Sequence, residues 1–122
     1  MKFTPLGLDH IVLQVRDQAV AEKFYTEILC CTVIRRNPEI NLVQLRFGEH
    51  LIDLVPGQGS GPGLEHFCLS IQCDDLEALY NEMVKRGVKI DTAIGNRTGA
   101  YGRSPSFYIR DPDNFLVELK PR

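Results

Sequence analysis

The sequence predicts an α+β chain in which one strand, helix, three-strand unit occurs twice, and three observations carry that expectation. Apolar residues switch from a two-residue period to a helical one and back in the same order in both halves. One Gly/Pro-rich stretch, Pro56-Gly57-Gln58-Gly59-Ser60-Gly61-Pro62-Gly63, separates the halves. The first and last strands of the two halves also align: Asp9-His10-Ile11-Val12-Leu13 matches Glu65-His66-Phe67-Cys68-Leu69, and Leu51-Ile52-Asp53-Leu54-Val55-Pro56 matches Leu116-Val117-Glu118-Leu119-Lys120-Pro121. Histidine meets histidine and carboxylate meets carboxylate, and such repeats bring equivalent side chains toward one pseudo-two-fold axis.

In the first module, 8–56, Leu8 to Val15 is rich in β-branched residues and reads as a strand ending at Asp17. Asp17 is a good N-cap for a helix whose face carries Val20, Phe24 and Ile28, with Ala21, Tyr25 and Leu29 beside them. Thr32 to Arg36, Leu42 to Phe47 and Leu51 to Val55 are expected strands, punctuated by Asn37-Pro38 and Gly48-Glu49. After the linker at 57–63, the second module, 64–120, opens with a strand over Leu64 to Ile71. Its helix is capped by Asp74 or Asp75, presents Leu76, Leu79, Tyr80 and Met83 on one face, and ends at Gly87 as a left-handed cap. Val88 to Ile94, Ser106 to Ile109 and Phe115 to Leu119 follow as strands, the last two joined by Asp111-Pro112-Asp113-Asn114.

At 122 residues, with 43% apolar and 25% charged residues, the chain has the composition of an ordinary soluble globular domain. It is long enough to bury about two-thirds of the surface its unfolded form exposes. Fourteen basic residues against 16 acidic ones give no field to attract nucleic acid or an anionic membrane. The N-terminal Met-Lys-Phe-Thr-Pro-Leu-Gly lacks the apolar core of a signal peptide and charges interrupt every apolar run, so the cytoplasm is expected. Cys30, Cys31, Cys68 and Cys73 lack C-x-x-C spacing and are expected to be reduced and mostly buried.

Two imidazoles and one or two carboxylates on strands are a donor set for Zn, Ni, Mn, Co or Fe(II), with a coordination position left for substrate or water. Burying a carboxylate in an apolar strand is costly without a partner, which singles out Asp53 and Glu118 beside His10 and His66. His50 is out of phase with Asp53 and is expected to be an exposed surface histidine. Asp9 and Glu65 are expected on the face opposite the histidines.

The strand with His10, the segment Phe24 to Leu29, the strand with His66 and the run Tyr108-Ile109-Arg110-Asp111-Pro112-Asp113-Asn114-Phe115-Leu116-Val117-Glu118 closely resemble the vicinal oxygen chelate superfamily, the group of glyoxalases, bleomycin- and fosfomycin-resistance proteins and extradiol dioxygenases. The resemblance covers nearly the whole chain. It implies two βαβββ modules whose mixed sheets form a curved, cup-like site for a divalent metal, often within a homodimer, with His10, His66 and Glu118 as ligands and Asp53 as a fourth ligand, a water-mediated one, or a base. Glyoxalases usually carry Glu or Gln at the Asp53 position. The extradiol signature expects glycine at Asn114 and a histidine near Tyr101, which makes oxygen activation the least favoured activity. What the resemblance implies is therefore a lactoylglutathione-lyase-like enzyme acting on a small oxygenated metabolite, with Glu118 or Asp53 moving a proton. A metal-free drug-binding protein of the bleomycin-resistance type and a fosfomycin thiol transferase are the alternatives. The polar stretch Asn96 to Arg103 is expected as a flexible loop where relatives have a lid, and Arg97, Tyr101, Arg103 and Tyr108 are the residues expected to touch substrate, the two arginines clamping a carboxylate or phosphate.

Overall fold

The computed structural model describes residues 4–61 and 64–122; Met1 to Phe3, and Pro62 and Gly63 of the expected linker, lie outside the described residues. The chain divides into two compact units, Met1–Gly59 and Ser60–Arg122.

Unit one runs β1 (His10–Val15), α1 (Gln18–Glu27), β2 (Thr32–Asn37), β3 (Leu42–Phe47) and β4 (His50–Pro56). The sheet order is β1-β4-β3-β2, with β1 parallel to β4 and the other pairs antiparallel. Asp17 caps α1 as expected, its carboxylate accepting from the backbone N–H groups of Ala19 and Val20. Alternation along the strands puts Leu13, Val15, Val43, Leu45, Ile52 and Leu54 in the core, where Ala21, Tyr25 and Leu29 join them. The buried helical row is therefore 21, 25, 29; Val20, placed on the buried face by the sequence, is 50% exposed.

Unit two repeats the plan with β5 (Phe67–Ile71), α2 (Leu76–Lys85), β6 (Lys89–Gly99), β7 (Gly102–Arg110) and β8 (Leu116–Pro121), in the order β5-β8-β7-β6. Asp75, not Asp74, is the N-cap of α2. Gly87 closes the helix at φ 78°, with its N–H bonded to the carbonyl of Val84 and that of Val88 to Met83, the pattern of a Schellman cap. Met83, Phe107, Ile109, Val117 and Leu119 form the buried apolar layer, and Tyr80 meets Phe107 edge-on at 5.2 Å between centroids.

Three expectations are corrected. The first strands start later than read, at His10 and Phe67, because Leu8 and Leu64 are exposed and have nothing to pack on. Asn96 to Arg103 is not a loop. β6 and β7 continue through it as an antiparallel hairpin in which Arg97 pairs with Ser104 and Gly99 with Gly102, leaving Ala100 and Tyr101 as the reversal. The positive φ that the tight reversal requires is taken by Gly102, at 97°. Finally, only Cys31 is buried; Cys73 is intermediate, and Cys30 and Cys68 are exposed. All four are free thiols, as expected. Burial pushes the Cys31 thiol up to about 12.

Candidate metal and substrate site

In unit one, β1 places His10 at its first position and β4 places Asp53 opposite Val12. His10 is exposed, whereas Asp53 is 4% exposed. Gln44, paired with Asp53 across β3 and β4, donates to Asp53 Oδ2 at 3.2 Å, and Asp53 Oδ1 is buried with no hydrogen-bond partner. An orphaned buried carboxylate oxygen is costly unless a proton, a donor or a cation meets it. Asp9, expected to face away, instead binds His10 Nδ1 at 2.6 Å. Because an ionised carboxylate only accepts, Nδ1 carries the proton and Nε2 is left as the outward nitrogen. That hydrogen bond is the main cause of a raised His10 pKa, and the charge of Asp53 adds to it.

Unit two repeats this geometry. Glu65 Oε2 holds His66 Nδ1 at 2.6 Å. His66 Nε2 stands 3.5 Å from Glu118 Oε1. Two donors each about 2.1 Å from one ion sit roughly 3–3.5 Å apart, so the pair has the separation of two ligands of a single metal. Glu118 is 4% exposed and more fully partnered than Asp53: Ser106 Oγ donates to Oε2 at 2.7 Å and Tyr108 Oη to Oε1 at 3.1 Å. Tyr108 occupies against Glu118 the register position that Gln44 occupies against Asp53. Burial, followed by the hydrogen bond to Glu118, raises the Tyr108 pKa. Its ring meets His66 edge-on at 5.4 Å and lies beneath the Arg97 guanidinium at 4.9 Å.

No three His, Cys, Asp or Glu side chains gather around one point among the described residues. Each supplies one histidine backed by a neighbouring carboxylate, plus one buried carboxylate. Carboxylate-backed imidazoles are the usual form of a metal-binding histidine, because the second hydrogen bond fixes ring and tautomer. Imidazole and carboxylate are donor types that suit a divalent ion, and in unit one Asp53 Oδ1 is left without a hydrogen-bond partner.

The expected substrate residues fare unequally. Tyr108 is beside Glu118, as above. Arg97 spends its guanidinium internally, Nη1 donating to the carbonyls of Gly95 at 3.1 Å and Ser106 at 2.5 Å, and Nη2 to Ala93 at 3.3 Å, so it braces β6 against β7. Arg103 is exposed, and so is Tyr101, which stacks with Arg122. His50 is exposed, as expected. Sequence reading missed Ser106, Gln44, Lys120 and Cys68, all near the carboxylates. Period-two alternation was the available signal, since Ser104, Ser106 and Tyr108 share a face of β7, and Glu118 and Lys120 a face of β8. Partial desolvation, with the Glu118 charge next, pushes the Cys68 thiol up to about 11.

Comparison with known proteins places the chain in a family. The Glyoxalase/Bleomycin resistance protein/Dioxygenase superfamily model matches residues 7–119. Virulence protein STM3117 of Salmonella typhimurium is 31% identical over 120 residues, covering 92% of this chain and 81% of that protein. A probable lactoylglutathione lyase of Vibrio parahaemolyticus is 25% identical over 123 residues, covering 90% of this chain and 86% of the relative. Among solved structures, an integron cassette protein from the mobile metagenome of V. cholerae superposes with a TM-score of 0.79 at 27% identity, covering 99% of this chain and 98% of that one. With the matched model spanning both units, the chain belongs to the glyoxalase/bleomycin resistance protein/dioxygenase superfamily.

Proposed function

We propose that the chain is a metal-dependent enzyme of the glyoxalase type, an isomerase or lyase acting on a small oxygenated metabolite, with His10, Asp53, His66 and Glu118 as the donor set. The observation that carries this reading is the unpartnered buried Oδ1 of Asp53, set beside a histidine whose other nitrogen is already held, and matched in the second unit by His66 and Glu118. Similarity to a probable lactoylglutathione lyase supports the same class. A bound divalent ion, whether Ni, Zn, Mn, Co or Fe(II), supplies Lewis-acid stabilisation of negative charge on a substrate oxygen.

The residues divide the remaining work. Asp9 and Glu65 hold Nδ1 of each imidazole and so leave Nε2 as the nitrogen for an ion. Ser106 and Tyr108 each donate to one oxygen of Glu118, which fixes the carboxylate in place and suits it to the role of a ligand. Asp53 retains one oxygen without a hydrogen bond, which leaves that oxygen for the ion or for a substrate proton. A homodimer in the cytoplasm belongs to the same reading and is checked by light scattering and cell fractionation. No described helix is long and apolar enough to cross a membrane.

The test is elemental analysis of the purified chain beside a His10→Ala, His66→Ala double variant, followed by assays with hemithioacetals and epimerisable thioesters. Stoichiometric metal lost in the variant, with turnover lost in Asp53→Asn, is the expected result. A wild-type chain that takes up no ion after reconstitution would overturn it and leave a metal-free binding protein.

A further inference from the structure

Lys120 is the buried charge that the proposed chemistry leaves unused. It lies two residues beyond Glu118 on β8, on the same strand face and about 7 Å along it, and is 6% exposed. Its ammonium donates to the carbonyls of Arg97 at 2.5 Å and Ser104 at 2.8 Å. No carboxylate among the described residues pairs with it. Two carbonyls recover part of the cost of burying an ammonium, but the third N–H and the net charge remain without an opposite charge.

The surroundings are shaped to the same end. A depression of about 220 Å³ is lined by His66 and Glu118, and further along by Ser70, Thr98, Lys120 and Arg122. Register fixes the direction: Cys68 is opposite Glu118 and Ser70 opposite Lys120, so acid and imidazole lie one strand step from hydroxyl and ammonium. Gly99 closes over the lysine stem so tightly that a Cβ there would fall 2.7 Å from Lys120 Cε. Arg122 stands at the rim, stacked on Tyr101 at 4.7 Å and donating to its hydroxyl. The volume is below the roughly 300–1,000 Å³ of pockets for larger ligands, and suits one small polar group.

We infer that this depression is an anion subsite in which the Lys120 ammonium, with Ser70, Thr98 and Arg122, receives a carboxylate or phosphate-like oxyanion of the substrate. The inference rests on the proposed function and narrows it: the substrate is a small acid whose charged group lies about 7 Å from the oxygens gathered at His66 and Glu118, a spacing of two strand residues. The corresponding position in unit one is Val55, so only the second unit carries this cation.

Phosphate titration of the chelator-treated full-length chain at constant ionic strength, followed by amide ¹⁵N–¹H spectra, tests it without metal. Saturable shifts confined to residues 68–70, 98–100 and 118–122 are expected, with affinity falling at least about tenfold in Lys120→Met, a loss of one charge-assisted contact, and unchanged in Lys85→Met on α2. Shifts that are absent or scattered, or Lys120→Met binding as tightly as wild type, overturn the subsite. Should Lys120→Met fail to fold, the location of the wild-type shifts decides. Elemental analysis separates the two ideas: phosphate binding by a chain that takes up no metal keeps the subsite and removes the enzyme, and metal uptake without phosphate binding does the reverse.

Discussion

Among the described residues three that are not glycine hold positive φ, and two of them explain sequence features that looked incidental. Asn114, at φ 69°, stands where the extradiol signature has glycine; asparagine is the common substitute for glycine in that conformation, so the turn is preserved. Asp111 fixes it, its Oδ1 accepting from the N–H groups of Asp113 at 2.9 Å and Phe115 at 2.8 Å. Asn114→Gly is expected to leave stability within about 0.5 kcal/mol, and Asp111→Ala to cost about 1–3 kcal/mol by stranding buried donors, both read from urea unfolding. Cys30, at φ 58°, follows α1 with an exposed side chain. Cys30→Gly is therefore expected to raise stability by about 1 kcal/mol, seen as a higher thermal midpoint. The histidines and carboxylates of the candidate site were legible from the duplicated sequence. Their companions Asp9 and Glu65 were not, because alternation assigns faces only inside a strand and both residues precede the strand that follows them.

The hairpin of β6 and β7 shows why composition misleads at the level of an element. Asn96 to Arg103 carries glycines, polar residues and no apolar alternation, which reads as loop, yet the segment is paired on both sides of the reversal at Ala100 and Tyr101. What holds it comes from side chains distant in sequence: Lys120 ties the carbonyls of Arg97 and Ser104 together, and Arg97 returns to Ser106. Arg97→Met should accordingly speed amide exchange at 96–103 while leaving α2 protected; uniform exchange across unit two would contradict a local brace. The helices, by contrast, announced themselves through caps and apolar rows, and only the rotation of α1 by one residue escaped. Its other fastening is the ion pair of Glu22 with Arg36 on β2, at 2.5 and 2.9 Å. The guanidinium holds Glu22 below the usual glutamate range. With the folded value depressed, this stabilisation is complete above the unfolded value and fades as pH falls through the folded one. In an exposed pair the contribution is small, and Glu22→Gln should flatten that part of the acid limb of a stability-against-pH curve.

At the scale of the molecule, the duplication was legible because it is written twice, in the segments that carry His10 and His66 and in the strands that carry Asp53 and Glu118. What could not be read was how differently the two copies furnish those positions, Gln44 against Tyr108 and Val55 against Lys120, since one alignment shows equivalence but not the neighbours across a sheet. Reconstitution with the preferred ion at a hundred times its dissociation constant should stabilise the native chain by about 2.7 kcal/mol, and a chelator should reverse the gain. In each unit, alternation turns one strand face to the helix and apolar core and the other to the candidate chemistry, so Ile52 and Leu54 flank Asp53 as Val117 and Leu119 flank Glu118. Adjacent codons therefore answer to different selection: one set is tied to folding and the interleaved set is free to drift toward new ligands. A gene library randomised at 44, 55, 70 and 98 should remain largely expressible while its binding preferences diverge, whereas the same diversity at 45, 54, 107 and 119 should be lost to insolubility before any ligand is offered.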